Sequence, residues 1–436
     1  MKNSDFAPFE LDRELARVVP RARAAYRALC SGRHVTLTVP DVLNDPETLD
    51  RLVSDQSDPI AAPLVRFLYW LELMQRSLPS VGQRVERYRA EHHPLDKPLS
   101  GHFTWRELLG HALRDRGRRP ALLDVLLERG DVLRDAGTRL FEVRAELASF
   151  GGRSRAALEL PHPEIAAQAR SFLQGSADAL SSLELGSLAD VLERGLAPEA
   201  ADGWPRQLSL RSLHDLLGSR DWLSGLRLDL GQLPAPLSAA SFVRGLLRLG
   251  AAWSDALAPT EQPFCIARDA FGLSRATAGA LLAGLTMSPA FLKRQLGLSK
   301  ERTITHARAL ATSALLFARQ LSLRVLQDAP SLAGPAALGD AFSEHATSAL
   351  GFEVPARAAG LLFRPRPGDA QRLAGVFLAA SRSQQLAEEH DEDWYRNPRA
   401  LEELRSDAHQ APSTTCTTEA LEAGARALTG LLAARL

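Results

Sequence analysis

Ser238-Ala-Ala-Ser-Phe-Val-Arg-Gly-Leu-Leu-Arg-Leu-Gly-Ala-Ala-Trp-Ser-Asp-Ala-Leu-Ala258 carries the fold class in its spacing. Phe242, Leu246, Leu249, Trp253 and Leu257 recur at steps of four, three, four and four. At that interval they share one face of an α-helix and point together into a core. Ser238 is a capping residue, and Pro259 stops the helix just beyond its end.

The same interval runs outward in both directions. Toward the N-terminus it joins Leu11, Leu15, Val18, Ala22 and Tyr26, then Leu64, Phe67, Leu68, Leu71 and Met74 in a helix that should close near Pro79. Leu122, Val125, Leu126 and Leu133 continue it. Toward the C-terminus, Ser288-Pro289 reads as a cap with proline in the first turn, and Gly297 as its stop. Ser299 opens what should be the longest helix, with Leu310, Ala314, Phe317, Leu321 and Val325 on one face and Pro330 beyond. Asn397-Pro398 starts another that carries Leu401 and Leu404.

Only two stretches alternate like strands: Val35 to Val39 and Leu226 to Leu230. Gly151-Gly152 and Leu160-Pro161-His162-Pro163 punctuate the chain and mark a soft boundary between an N-terminal helical lobe, 1–155, and a second lobe, 156–436. No fixed repeat and no long heptad run is present. The expected fold is mainly α, large and two-lobed, with only short strands.

Composition narrows the function. The chain has 436 residues, 45% hydrophobic and 24% charged, enough for a sizeable core. Fifty-two bases balance fifty-two acids, which argues against a dedicated nucleic-acid binder. Only four of the bases are lysine, leaving 48 arginines, an excess that fits genomic coding bias. Met1 to Glu10 is polar and is no signal peptide, and no apolar run approaches the roughly 18 residues that span a bilayer. Cys30, Cys265 and Cys416 form no CxxC pair, so reduced thiols in a cytoplasm are expected, with Cys416 exposed.

The common catalytic motifs are missing. There is no P-loop, no GxGxxG after a strand and no GxSxG elbow. None of the eleven histidines precedes a glutamate, and no two stand at i, i+4, so HExxH is absent. His92, His93, His102 and His111 form the densest histidine group, without ligand spacing, and read as surface residues. Glu388-Glu-His-Asp-Glu-Asp393 could attract a cation but reads first as a solvated charge run beside Trp394.

From about Leu160 onward the order of segments resembles oligoendopeptidases of the thimet-oligopeptidase type, the helical zinc metallopeptidases. Asp391-Glu-Asp-Trp-Tyr-Arg-Asn-Pro-Arg399 is similar to the Gly-Glu-Asp-Trp-Phe-x-Asn-Pro segment that opens the final helices in bacterial members. Ala349-Leu-Gly-Phe-Glu-Val-Pro355 is similar to a linker between two late helices, and Leu282 to Ser299 to the helix pair after the third metal ligand. For the first lobe the resemblance implies only helices.

Carried onto this chain, the family's HExxH falls on Leu247, Arg248, Leu249, Gly250 and Ala251, and its third ligand on Ala276 or Thr277. The ligand positions are then apolar, the base is an arginine and no carboxylate follows. The family's tyrosine and histidine oxyanion donors have no counterpart between Ala346 and Glu389. Three parts of one mechanism are missing together. Leu247 and Ala251 suit a buried helix that has lost its metal, since unpaired imidazoles in a core are costly. Arg248 needs either solvent, reached by snorkelling to the cleft, or an anion.

The resemblance therefore implies a degenerate active site at Leu247, Arg248, Ala251, Ala276 and Thr277, with no cofactor and no metal. The expected function is that of a pseudopeptidase. It would bind a peptide or a partner protein, such as an active paralogous peptidase, and neither nucleic acid nor membrane. A helical scaffold or subunit without a peptide ligand is the alternative. An active zinc oligopeptidase with a displaced site, built around His102 and His111, is the third reading.

Overall fold

The computed structural model describes residues 8–30, 33, 36–54, 58–159, 162–328, 339–364, 366–408 and 416–436. The fold is mainly α. Its twelve described helices of eleven residues or more are α1 (Pro8–Cys30), α2 (Ala61–Ala90), α3 (Arg119–Arg129), α4 (Asp131–Glu146), α5 (His162–Gly175), α6 (Ala239–Leu257), α7 (Leu273–Gly284), α8 (Lys300–Gln327), α9 (Asp340–Leu350), α10 (Asp369–His390), α11 (Pro398–Ala408) and α12 (Thr418–Ala433). Two antiparallel hairpins complete it: β1 (His92–Leu95) with β2 (Gly101–Thr104), and β3 (Ser149–Phe150) with β4 (Arg153–Ser154).

The helices start where the sequence places their caps. Ser241 Oγ accepts from the Leu237 N–H at 2.9 Å at the start of α6. Ser288 Oγ accepts from the Phe291 N–H at 3.3 Å, and Asn397 Oδ1 from the Arg399 N–H at 2.9 Å. The last two satisfy donors that the first helical turn leaves without an internal partner, whereas at α6 the Ser238 hydroxyl itself makes no hydrogen bond and Ser241 reaches back instead.

Three expectations fail locally. Helix α2 does not close at Pro79 but runs through it for 30 residues, which makes it longer than α8 with 28. Proline there removes one N–H and crowds the carbonyl a turn back, at a cost of about 3 kcal/mol. Met74, Ser77, Ser80 and Val81 are buried on either side of Pro79, so packing outweighs that cost. The spacing from Leu122 to Leu133 crosses a break at Gly130, which caps both α3 and α4.

Neither alternating stretch is a strand. Thr36 to Pro40 and Leu226 to Leu230 have no regular structure, and Val35 lies outside the described residues. Their alternation does sort side chains: Leu226, Leu228 and Leu230 are more enclosed than Arg227 and Asp229. What they lack is a neighbour to exchange ladder hydrogen bonds with. The strands form instead where tight hairpins bring partners together. Gly151 (φ +55°) and Gly152 (φ +68°) make the two-residue turn between β3 and β4, where left-handed backbone suits glycine.

Buried apolar side chains fall into two clusters. The smaller gathers Leu11 to Met74 with Val143, Leu147, Leu158, Cys265, Ala270 and Phe271; the larger runs from Leu95 to Leu432. The loop from Phe264 to Phe271, between α6 and α7, is thus held by the N-terminal helices. Asp12 accepts from the Phe264 and Cys265 N–H groups at 2.7 and 2.8 Å, and Phe264 packs on Phe67.

A buried ionic group ties the clusters together. Arg144 donates to Asp328 at 2.6 Å and to Glu159 at 3.1 Å, Arg155 donates to Glu159 at 3.2 Å, and Tyr69 donates to Glu159 at 2.9 Å. Burial works against the Arg144 charge, yet Asp328 and Glu159 outweigh it and push its pKa up. By length and composition α8 could cross a membrane, but 72% of its apolar window is buried in protein, the pattern of a core helix.

Candidate functional site

Small residues set the spacing of four helices that pack in sequence, α6 on α7, α7 on α10 and α10 on α12. A Cβ on Gly250 would lie 2.3 Å from the Ala278 carbonyl oxygen, and one on Gly279 would lie 2.6 Å from that of Leu247. Gly375 meets Ala276, and Gly424 meets the backbone of Phe377. Only glycine permits backbones to approach so closely.

This packing fixes where the five site positions lie. Leu247 and Ala251 stand one turn apart on α6, both half-buried. Leu247 lines an apolar groove of about 340 Å³ with Val243, Leu192, Phe317 and Leu431. Arg248 is exposed and donates to the Gln232 carbonyl at 3.2 Å, so it takes solvent rather than core. Ala276 faces α10, where its Cβ would meet a Cβ on Gly375 at 2.6 Å. Thr277 lines a second cleft, and its hydroxyl donates to the Leu273 carbonyl at 3.0 Å.

The residues facing each other across α6 and α7 are therefore Gly250 with Ala278 and Gly279, and Asp255 with its ion partner Arg275. Among the five positions the structure brings Leu247 and Ala251 together, and it turns Ala276 and Thr277 toward other neighbours. Three alkyl groups, a guanidinium and one engaged hydroxyl offer no ligand set for zinc. The residues do not fit the zinc that the helical metallopeptidases hold.

The cleft holding Thr277 has a volume of about 560 Å³. It is walled by the C-terminal end of α6, by α7, α10 and α11, and by Arg23 of α1. Its floor is aromatic: Trp222 donates to the Tyr395 carbonyl and Trp253 to the Trp222 carbonyl, at 2.8 and 2.9 Å, with the rings edge to face. Its walls carry both signs of charge. Burial, then Arg23, Arg27 and Arg372, lower the Arg275 pKa to about 9, and its guanidinium pairs with Asp255. At the far wall Arg382 bonds Glu403 and Asp407 at 2.6 and 2.7 Å. An aromatic floor with fixed charges on the rim can hold an extended chain.

The histidine group makes no such site. His92 and His93 lie on β1, His102 on β2 and His111 on the Trp105–Arg114 helix. His93 stacks on Trp105 at 4.0 Å, and burial lowers its pKa. Among the described residues the only three potential ligands that converge are Glu389, His390 and Glu403. His390 Nε2 lies 3.0 Å from Glu403, and its hydrogen bond, followed by that of Arg382, holds the Glu403 carboxyl below the usual range. Elsewhere in the acidic run Glu388, Asp391 and Glu392 are exposed, Asp393 pairs with Arg294, and Trp394 is buried beyond it. Cys265 is buried, Cys416 half-buried and Cys30 exposed.

Residue spacing missed the arginines that surround the cleft. Arg23 with Arg27, and Arg244 with Arg248, each stand at i, i+4 on a helix, a spacing that does not by itself mark a site in a chain with 48 arginines. No protein-family model matches the chain, and a search of curated proteins gives no significant match.

Proposed function

We propose that this protein is a catalytically inactive, metallopeptidase-like protein that binds a peptide, or an extended segment of a partner protein, in the cleft between α6, α7, α10 and α11. One observation carries the reading. The cleft is open at about 560 Å³ over Trp222 and Trp253, while the positions assigned to ligands and base are Leu247, Arg248, Ala251, Ala276 and Thr277. Of those five only Thr277 lines the cleft, and none of them supplies a zinc ligand. An active paralogous peptidase fits as a partner, because its own extended segments are peptides.

Thr277 provides the test, since it lines the cleft and is half-buried. Thr277→Trp should fill the groove and abolish binding of a fluorescent peptide that the parent binds saturably. If the folded variant binds that peptide as the parent does, the ligand sits elsewhere and the reading fails.

A further inference from the structure

Guanidinium groups converge from three directions between the 560 Å³ cleft, which Arg23 and Arg275 line, and the 340 Å³ groove, which Arg244 lines. On α1, Arg23 and Arg27 stand one turn apart with Tyr26 next to Arg27. On α6, Arg244 and Arg248 are likewise one turn apart and both exposed. Arg27 comes within 3.7 Å of Asp229, and Arg248 donates to the Gln232 carbonyl at 3.2 Å, so the two reach one short loop from different helices. The third direction is the stretch ahead of α10, where Leu362 and Phe363 line the groove with Arg244 and the exposed Arg366 follows.

The carboxylates nearby are too few. Asp369 is taken by Arg324 at 3.0 Å and Arg372 at 2.8 Å. Asp229 is 81% exposed, and Asp255 is held by Arg275. Among the described residues, the Arg244 and Arg366 side chains have no carboxylate or hydrogen-bond partner, and Arg364 Nη1 is buried without one. These charges act on each other. Burial lowers the Arg244 pKa, and Arg366 and Arg248 lower it further; burial and then Arg27 lower that of Arg248. Burial raises the Tyr26 pKa, with Arg364, Arg366 and Arg372 opposing it. Converging like charges weaken a fold, and folding gains nothing from them here. A bound anion removes the cost.

We infer that this cluster seats carboxylates: the ligand is an acidic peptide segment whose Asp or Glu side chains, or C-terminal carboxylate, lie on Arg27, Arg244, Arg248 and Arg366. The inference rests on the peptide-binding reading above and specifies its ligand. Guanidinium forks match carboxylates in pairs of parallel hydrogen bonds, and Tyr26 adds a hydroxyl. A nucleic acid suits the site less well. Its charge repeats along the strand, whereas the adjoining cleft carries Asp255, Glu403 and Asp407, and the chain has a formal charge of zero. The positive charge is local, so the complementary negative charge is local too.

The test is fluorescence anisotropy on the full chain with a labelled peptide carrying six consecutive glutamates and the same peptide with glutamine in their place. Inorganic phosphate and a single-stranded oligonucleotide of equal charge serve as competitors. The glutamate peptide should bind at least about tenfold tighter, a difference of about 1.4 kcal/mol, and weaken as salt rises. The double variant Arg244→Gln/Arg248→Gln should lose that advantage. Its melting temperature should be equal or higher, which shows that folding is intact. Equal binding of the two peptides overturns the carboxylate assignment and leaves the peptide reading standing. If neither peptide binds, both fall. Tighter binding of the oligonucleotide, with displacement of the glutamate peptide, makes the occupant a nucleic acid and overturns the inference.

Discussion

The crossing of α6 and α7 turns one ordinary substitution into a test with a defined sign. Alanine at Gly250 would place its Cβ 2.3 Å from the Ala278 carbonyl oxygen, 2.6 Å from its carbon and 2.7 Å from Gly279 Cα. All three are backbone atoms, so no rotamer change relieves the overlap. Restoring ordinary contact requires the helices to part by about 1 Å, and a gap of that size forfeits a quarter to a half of each dispersion contact it opens. For some forty atom pairs at about 0.15 kcal/mol each, the loss is about 1.5–3 kcal/mol, in line with other overpacked cores. Helix propensity returns at most about 1 kcal/mol.

Gly250→Ala should therefore destabilise the protein by about 1–2 kcal/mol net. Gly430 is the control. It is exposed within α12, and a Cβ there would meet nothing within 4 Å. Gly430→Ala should stabilise by about 0.5–1 kcal/mol. Urea titration followed by circular dichroism measures both, read as midpoints at a common slope. A Gly250→Ala protein as stable as the parent would show that the helices are not in backbone contact, and the placement of Leu247, Ala251 and Thr277 would fall with it.

Other expectations come from the buried charges. Arg144→Met leaves Glu159 and Asp328 to share Arg155 in a site where all are under 6% exposed, and should cost about 3–5 kcal/mol by urea titration. Burial raises the pKa of Asp369, but Arg324, Arg372 and Arg366 outweigh it and hold the carboxyl below its ordinary 3.8. A depressed carboxyl stabilises the fold above its unfolded value and ceases to as the pH falls through the folded one. The melting temperature should thus fall as the pH drops below about 4, and Asp369→Asn, less stable at pH 7, should fall less steeply. A chelator should leave the melting temperature of the parent unchanged, since a metal bound only by the folded state would raise it; a drop of several degrees would reveal a site, with Glu389, His390 and Glu403 the first place to look.

Helices were legible in the sequence because their evidence is local. Ser238, Ser288 and Asn397 announce the starts of α6, the Pro289–Leu296 helix and α11; the Ser288 and Asn397 side chains form their caps, while at α6 Ser241 bonds back in place of Ser238. Period-two alternation revealed faces but not pairing: Leu226, Leu228 and Leu230 turn inward along a chain with no neighbouring strand. Pro79 misled because its cost is local while the burial that outweighs it comes from other helices. The cleft was not legible at all. Arg23, Arg244, Arg275 and Arg366 are far apart in sequence, and an arginine-rich chain gives no reason to single them out. Nor could spacing show that Ala276 faces α10 while Thr277, the next residue, faces the cleft.

Binding without cleavage is the central claim, and one mass-spectrometric experiment addresses it. Peptides would be incubated with a stoichiometric amount of the full chain, with added zinc or with chelator, and the bound fraction recovered and weighed. Peptides retained intact, to the same extent in both conditions, are the expected result. Zinc-dependent fragments that disappear with chelator, from protein purified free of other peptidases, would contradict it and would mean that Leu247, Arg248 and Ala251 do not mark the place of the chemistry.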